Sequence, residues 1–219
     1  MDVRYFLEQR LAFVEQLYGN AAAPFVERQR KIEAEEEPFV PPYSEDGEPP
    51  FLTEWLEAKE SLQVLGGTCI SMLSASFHLY FKTWERQLGV PVGPPLKAAF
   101  KKGWVNGYRV YFLRLFGIKF EDSSCDLPLL EELVLARNRV QHPASITSQN
   151  AQYSDDDLKK LPSPFFIDER ERELFSEGEE GERNWLMPPT IHVTPEKLLA
   201  AISEVRRFSV WLEQLEFEP

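Results

Sequence analysis

Residues 61–81 form a run of 21 residues without a charged side chain, and this run constrains the fold more than any other feature of the chain. A helix of that length is long enough to cross a bilayer. The run also contains polar and small residues, among them Gln63, Gly66, Gly67, Thr68, Ser71, Ser74, Ser76 and His78. That polarity is too high for contact with lipid on all sides. We therefore predict a helix buried within protein, with a membrane span as the alternative.

The segments before this run predict two shorter helices and a connector. Apolar residues recur at helical spacing over residues 3–18, and Gly19 is a typical stop. Residues 24–37 are charged and predict a second, mostly solvent-facing helix. Residues 38–50 hold five prolines in thirteen positions, so we predict an extended connector there.

The uncharged run belongs to a longer predicted helix, which Thr53 caps and which ends near Leu88. Its small residues would let a neighbouring backbone come close; they are Gly66, Gly67, Ser71 and Ser74. Two uses remain open for them. They can serve packing within the chain, or they can form the seam of a homodimer.

Three further helices follow. Pro94 and Pro95 open a helix predicted over residues 96–117. Asp126 caps the next, over residues 127–141, which Pro143 ends because the residue before a proline disfavours helical geometry. A closing helix begins at Thr194.

Residues 143–193 are long, polar and acidic, and they precede the closing helix. A structureless loop of fifty residues is improbable in a compact domain. Residues 164–167 and 190–193 are candidates for a small two-stranded element. We expect the acid-rich parts to be solvated.

The formal net charge of −12 argues against a protein that coats nucleic acid, because that mode depends on neutralising many phosphates. A local basic site remains compatible with it. Residues 87–120 hold six cations and no acid, and within them Lys101 and Lys102 are weaker candidates for substrate binding. The chain has only two cysteines, and its first residues show no export signal. Both features indicate a reducing, cytoplasmic location.

Familiar cofactor and metal motifs are missing from the sequence. It has no glycine-rich phosphate loop and no His-Glu-x-x-His. Two cysteines and three scattered histidines disfavour a zinc site. We therefore predict no metal and no cofactor. Of the three histidines, we expect His78 to be a core residue.

The segment at the end of the helix over residues 127–141 reads Arg137-Asn138-Arg139-Val140-Gln141-His142. It resembles the Arg-x(4–6)-His signature of the HEPN superfamily, and its Arg-Asn-x-x-x-His form in particular. The resemblance extends to helix order over residues 53–142 and 194–215. It implies a bundle of four or five helices in which two such motifs meet across a homodimer.

These residue types suit RNA cleavage without a metal. Attack by a ribose 2′-hydroxyl needs a proton acceptor near neutral pH, which the His142 imidazole supplies as general base or acid. The Arg137 guanidinium can fork onto the phosphoryl oxygens as charge builds there. Asn138 lies four residues before His142 on the same helix face and can orient its ring. Arg139 is a weaker candidate for substrate binding.

We therefore predict an all-α, HEPN-like bundle of about five helices, a single domain over residues 1–219 with the acidic insertion before the last helix. The predicted function is a metal-independent RNA endonuclease of the toxin or defence type, with RNA, a second copy and an antitoxin-like or regulatory protein as partners. One alternative is a non-catalytic binding or scaffold module, in which Arg137 and His142 only complement the helix dipole. Another is a protein–protein adaptor that works through the acidic loops.

Overall fold

The computed structural model describes residues 2–43, 49–143, 150–161, 163–176 and 188–215. Within these ranges the chain is all-α, as predicted, and contains no β-strand longer than a single bridge. The helices are α1 (Val3–Glu33), α2 (Leu52–Leu88), α3 (Pro94–Phe100), α4 (Trp104–Phe116), α5 (Leu127–Gln141), α6 (Asp155–Lys160), α7 (Glu169–Ser176) and α8 (Pro195–Glu213), with a 3₁₀ turn at Phe120–Ser123.

The first helix does not stop at Gly19, and the prediction of two helices before residue 38 is wrong. α1 is continuous and carries both Gly19 and Pro24 in its interior. Tyr18 and Ala22, on either side of Gly19, are both buried. Packing of this apolar face therefore outweighs the weak local preference of glycine for a helix end.

The long uncharged run forms the centre of α2, as predicted. The helix begins at Leu52 after Phe51, which has a left-handed backbone, so Thr53 is not its cap. By length and composition α2 could cross a membrane, but 61% of its most apolar window is buried inside the fold. A β-carbon on Gly66 would lie 2.8 Å from Val193. This glycine therefore serves packing within the chain.

The helix predicted over residues 96–117 is interrupted. Gly103 has a φ of +116°, which side-chain-bearing residues rarely adopt, and it separates α3 from α4. Asn106 reaches back across the break and donates its side-chain amide to the Ala99 carbonyl at 3.0 Å. The break places Lys101 and Lys102 in an exposed turn.

α5 and α8 begin where the sequence predicts. The carboxylate of Asp126 accepts from the backbone N–H of Leu129, and the hydroxyl of Thr194 accepts from that of Lys197. Both helices bury apolar faces in the core that α1, α2 and α4 share; the buried members on α8 include Leu198, Ile202, Val205, Phe208 and Leu212. α8 runs against α1, where Arg206 pairs with Glu8 at 3.0 Å.

The described part of the acidic insertion is packed on α5. It contributes α6 and α7, and its predicted strand pairing is reduced to the single bridges Gln152–Thr190 and Ile167–Ile191. The buried carboxylate of Glu132 on α5 accepts hydrogen bonds from the Tyr153 hydroxyl and from two backbone N–H groups of the insertion. The insertion is thus held to the bundle by a specific polar contact.

Candidate functional site

The candidate motif occupies the last turns of α5. The apolar residues before it are buried, so the helix is fixed in rotation up to Ala136. The helix ends at His142, whose backbone N–H still donates to the Asn138 carbonyl at 3.0 Å. The side chains from Arg137 onward are partly or fully exposed.

Arg137 lies on the wall of a recess of about 590 Å³ between α1, α2, α4 and α5. Its Nη1 donates to the side-chain oxygen of Asn138 at 2.8 Å, which holds the guanidinium. Arg10 and Lys82 line the same recess, and none of its described lining residues is acidic. In a chain of net charge −12, this is a local concentration of positive charge. We call it the cationic recess.

His78 also lines the cationic recess, although the sequence predicts a core residue. Its imidazole stacks on the Trp104 indole with ring centroids 4.7 Å apart and planes at 16°. Burial lowers the pKa of His78 below its ordinary value, and the nearby charges of Lys82 and Arg137 lower it further. The ring is therefore neutral at pH 7 and available as a hydrogen-bond donor or acceptor.

Ser74 adds a neutral polar group to the cationic recess. The residue is 2% exposed and lines the recess one turn before His78. No described residue makes a hydrogen bond to its hydroxyl, which leaves the group to a ligand or to water. Ser74, His78 and Lys82 are spaced four residues apart. This polar stripe through an otherwise apolar helix is the trace that the recess leaves in the sequence, although it does not show that Trp104 and Arg137 close the recess.

Asn138 borders a smaller recess of about 100 Å³ on the other side of Trp104. Lys102 lines it together with Glu131 and Lys160. Its charge is mixed, so this recess does not select for anions. Lys102 thus lies beside Asn138, whereas Lys101 does not line either recess.

Arg139 is engaged by the insertion. Its Nε pairs with the Asp157 carboxylate at 2.6 Å, and its Nη2 donates to the Ser154 hydroxyl at 2.6 Å. The guanidinium charge is therefore compensated inside the chain. Arg139 therefore holds α6 against α5.

His142 is exposed and lies one helical turn beyond Asn138. Within the part of the chain that the structure describes, its ring has no hydrogen-bond partner. The side-chain oxygen of Asn138 is occupied by Arg137. One chain thus brings Arg137 and His78 to one recess and bonds Arg137 to Asn138, whereas His142 does not line that recess.

Comparisons with protein-family models, with curated proteins and with solved structures gave no match. Over the described ranges, no three His, Cys, Asp or Glu side chains cluster as they would around a metal ion. The site is therefore argued from its own geometry.

Proposed function

We propose that this chain is a HEPN-like, metal-independent RNA endonuclease of the toxin or defence type. Arg137 binds the scissile phosphate, Asn138 holds the guanidinium, and His142 transfers the proton. The observation that carries the proposal is the position of the Arg137 guanidinium in a recess with two other permanent cations and, among its described lining residues, no acidic side chain.

The recess suits a phosphate in chemical terms. A guanidinium presents paired donors to phosphoryl oxygens, and it acts more strongly in a site that excludes much of the water. The hydrogen bond from Arg137 to Asn138 fixes that donor group before the ligand arrives. Pre-positioned donors lose little conformational freedom on binding.

The second half of the site is proposed to come from another copy. Arg137 and His142 are five residues apart, which places them about 140° apart around a helix axis. That angle favours a phosphate held between two helix ends over one held by a single helix end. A homodimer that juxtaposes two α5 termini would place His142 of one copy next to Arg137 of the other.

The test is cleavage of single-stranded RNA in EDTA. We expect wild-type protein to cut, and His142→Ala to lower the rate by about 10²- to 10⁴-fold because the proton-transfer group is lost. Arg137→Gln should lower both cleavage and RNA affinity. Gln16→Ala is the control, since Gln16 is exposed on α1 and lies outside both the recess and the end of α5. Equal rates for wild type and His142→Ala would refute the nuclease.

A non-catalytic binding module is the second candidate. The observation that favours it is that no described residue orients the His142 ring. In that case RNA affinity would depend on Arg137, but neither wild type nor any variant would cut. The same set of variants therefore separates the two functions.

A further inference from the structure

The cationic recess continues into an apolar one along α1 and α2. The second recess has a volume of about 220 Å³. Arg10, Ser76 and Leu79 line both recesses, so the two adjoin, and we refer to the pair as the groove. The remaining lining residues of the apolar part are Val3, Phe6, Leu7, Tyr80 and Thr83.

Phe6 gives the apolar recess an open aromatic wall. Its side chain is 54% exposed, and its ring meets the Tyr5 ring edge to face at 5.5 Å. Leu79, on the facing helix, is 37% exposed. Such a wall binds a flat ring by stacking and by removing apolar surface from water.

Two hydroxyls at this recess retain acceptor capacity. Ser76 and Thr83 each donate to a backbone carbonyl of their own helix at 2.8 Å. Their oxygen lone pairs stay available to amino or hydroxyl groups of a ligand. Arg10 stands where the apolar and cationic parts join.

We infer that this groove is a nucleotide-binding site, with the base in the apolar recess against Phe6 and the phosphate in the cationic recess. Arg10, Lys82 and Arg137 supply the charge, and the unpartnered hydroxyl of Ser74 supplies a donor. At about 220 Å³ the apolar part is smaller than the roughly 300–1,000 Å³ typical of small-molecule pockets, a size that suits one ring system.

The nucleotide can be a free molecule or one residue of an RNA strand. The assignment to RNA rests on the proposed function, whereas nucleotide binding itself does not. A chain without nuclease activity would still bind adenosine monophosphate in this groove. Failure of the proposed function and failure of this inference are therefore distinguishable.

The test measures binding to the full chain in EDTA by isothermal titration. The probes are adenosine monophosphate, inorganic phosphate, decanoate and a twelve-nucleotide single-stranded RNA. We expect the nucleotide to bind more tightly than phosphate. Phe6→Ala should weaken nucleotide binding about 5- to 100-fold through lost stacking, and leave phosphate binding unchanged.

Phe13→Ala is the matched control, because Phe13 lies on the same helix, is 55% exposed and does not line the groove. If the RNA binds tightly and its binding depends on Phe6 in the same way, the groove takes a nucleotide that belongs to an RNA strand. Binding of the mononucleotide without the RNA would identify a free nucleotide. Equal effects of Phe6→Ala and Phe13→Ala, absence of nucleotide binding, or preference for decanoate would overturn the inference.

Discussion

Neighbouring cations at the end of α5 differ in what they are free to bind. Arg139 is paired with Asp157, whereas Arg137 is held by the neutral side chain of Asn138 and keeps its charge for a ligand. The sequence motif ranks Arg139 below Arg137 but does not say what binds it. The partner of Arg139 lies 18 residues away in the insertion, so only the folded structure shows that its charge is compensated.

Glu132 is a buried carboxylate that acts as a structural acceptor. It is 2% exposed, and it accepts from the Tyr153 hydroxyl at 2.6 Å and from the backbone N–H groups of Phe165 and Phe166 at 2.8 Å. Burial raises the pKa of Glu132 above its ordinary value, although the three hydrogen bonds oppose the shift. Its role is to hold the insertion on α5.

We expect Glu132→Gln to lower the free energy of unfolding by about 1–3 kcal/mol, because the amide nitrogen would face the Phe165 N–H donor. Urea denaturation measures this change. A raised pKa in the folded state means that wild type loses stability as pH rises from about 4.5 through that pKa. The glutamine variant should lack this loss. Glu131→Gln, on the adjacent and partly exposed position, is the control; an equal effect there would contradict the role of Glu132.

The histidine of the cationic recess shows where residue-level prediction fails. His78 lies within an apolar run, and burial in the core is the ordinary outcome for such a position. Its exposure to the recess depends on Trp104 and Arg137, which two other helices bring to it. The motif at Arg137 and Asn138 could be predicted from the sequence, but the wall opposite it could not.

Among the helices, two glycines account for two wrong boundary predictions, the stop at Gly19 and the unbroken helix over residues 96–117. Gly19 lies inside α1, where a β-carbon would meet nothing within 4 Å, so nothing there requires glycine. Gly103 has a positive φ and ends a helical segment. The two positions look alike in sequence. Burial of the residues around Gly19 and the backbone angle at Gly103 decide between continuing the helix and breaking it.

We expect opposite effects from two alanine substitutions. Gly66→Ala should destabilise the protein by about 1–3 kcal/mol, because its β-carbon would press on Val193 at 2.8 Å. Gly19→Ala should stabilise it by about 0.5–1 kcal/mol, since alanine favours a helix interior and has open space there. Thermal unfolding of both variants measures the difference. A stable Gly66→Ala protein would contradict the close packing of α2 on the segment before α8.

For the whole molecule, the tight packing of Gly66 and Gly67 limits where a second copy can bind. Val193 covers Gly66, and Val140 covers Gly67 at 3.0 Å. These two glycines therefore cannot form the homodimer seam that the sequence left open. The proposed dimer would have to use the exposed surface around the end of α5.

Light scattering tests the dimer directly. We expect a mass of about twice 25.4 kDa for wild-type protein. Association through the end of α5 predicts that a negative charge there, such as Gln141→Glu, shifts the mass toward the monomer by repulsion between the two copies. The control is Gln16→Glu on the exposed surface of α1. A wild-type mass of 25.4 kDa at all concentrations would exclude the dimer.

The helical class, the ends of α5 and the start of α8 could be predicted because their signals are local: apolar spacing, a capping side chain and a proline. The recesses could not, because each is bounded by helices far apart in sequence. Trp104 and Arg137 meet only after α4 and α5 have docked on α2.

The position of α8 in the core also sets the timing of folding during synthesis. Phe208 contacts both Phe77 and Phe81 on α2, with ring centroids 5.7 Å apart in each pair. At about 5–20 residues per second, the ribosome adds the 127 residues between Phe81 and Phe208 in roughly 6–25 s. Throughout that interval the apolar face of α2 lacks its final cover. A nascent chain of this protein therefore exposes the part of α2 that α8 covers for seconds, long enough for a chaperone to bind it.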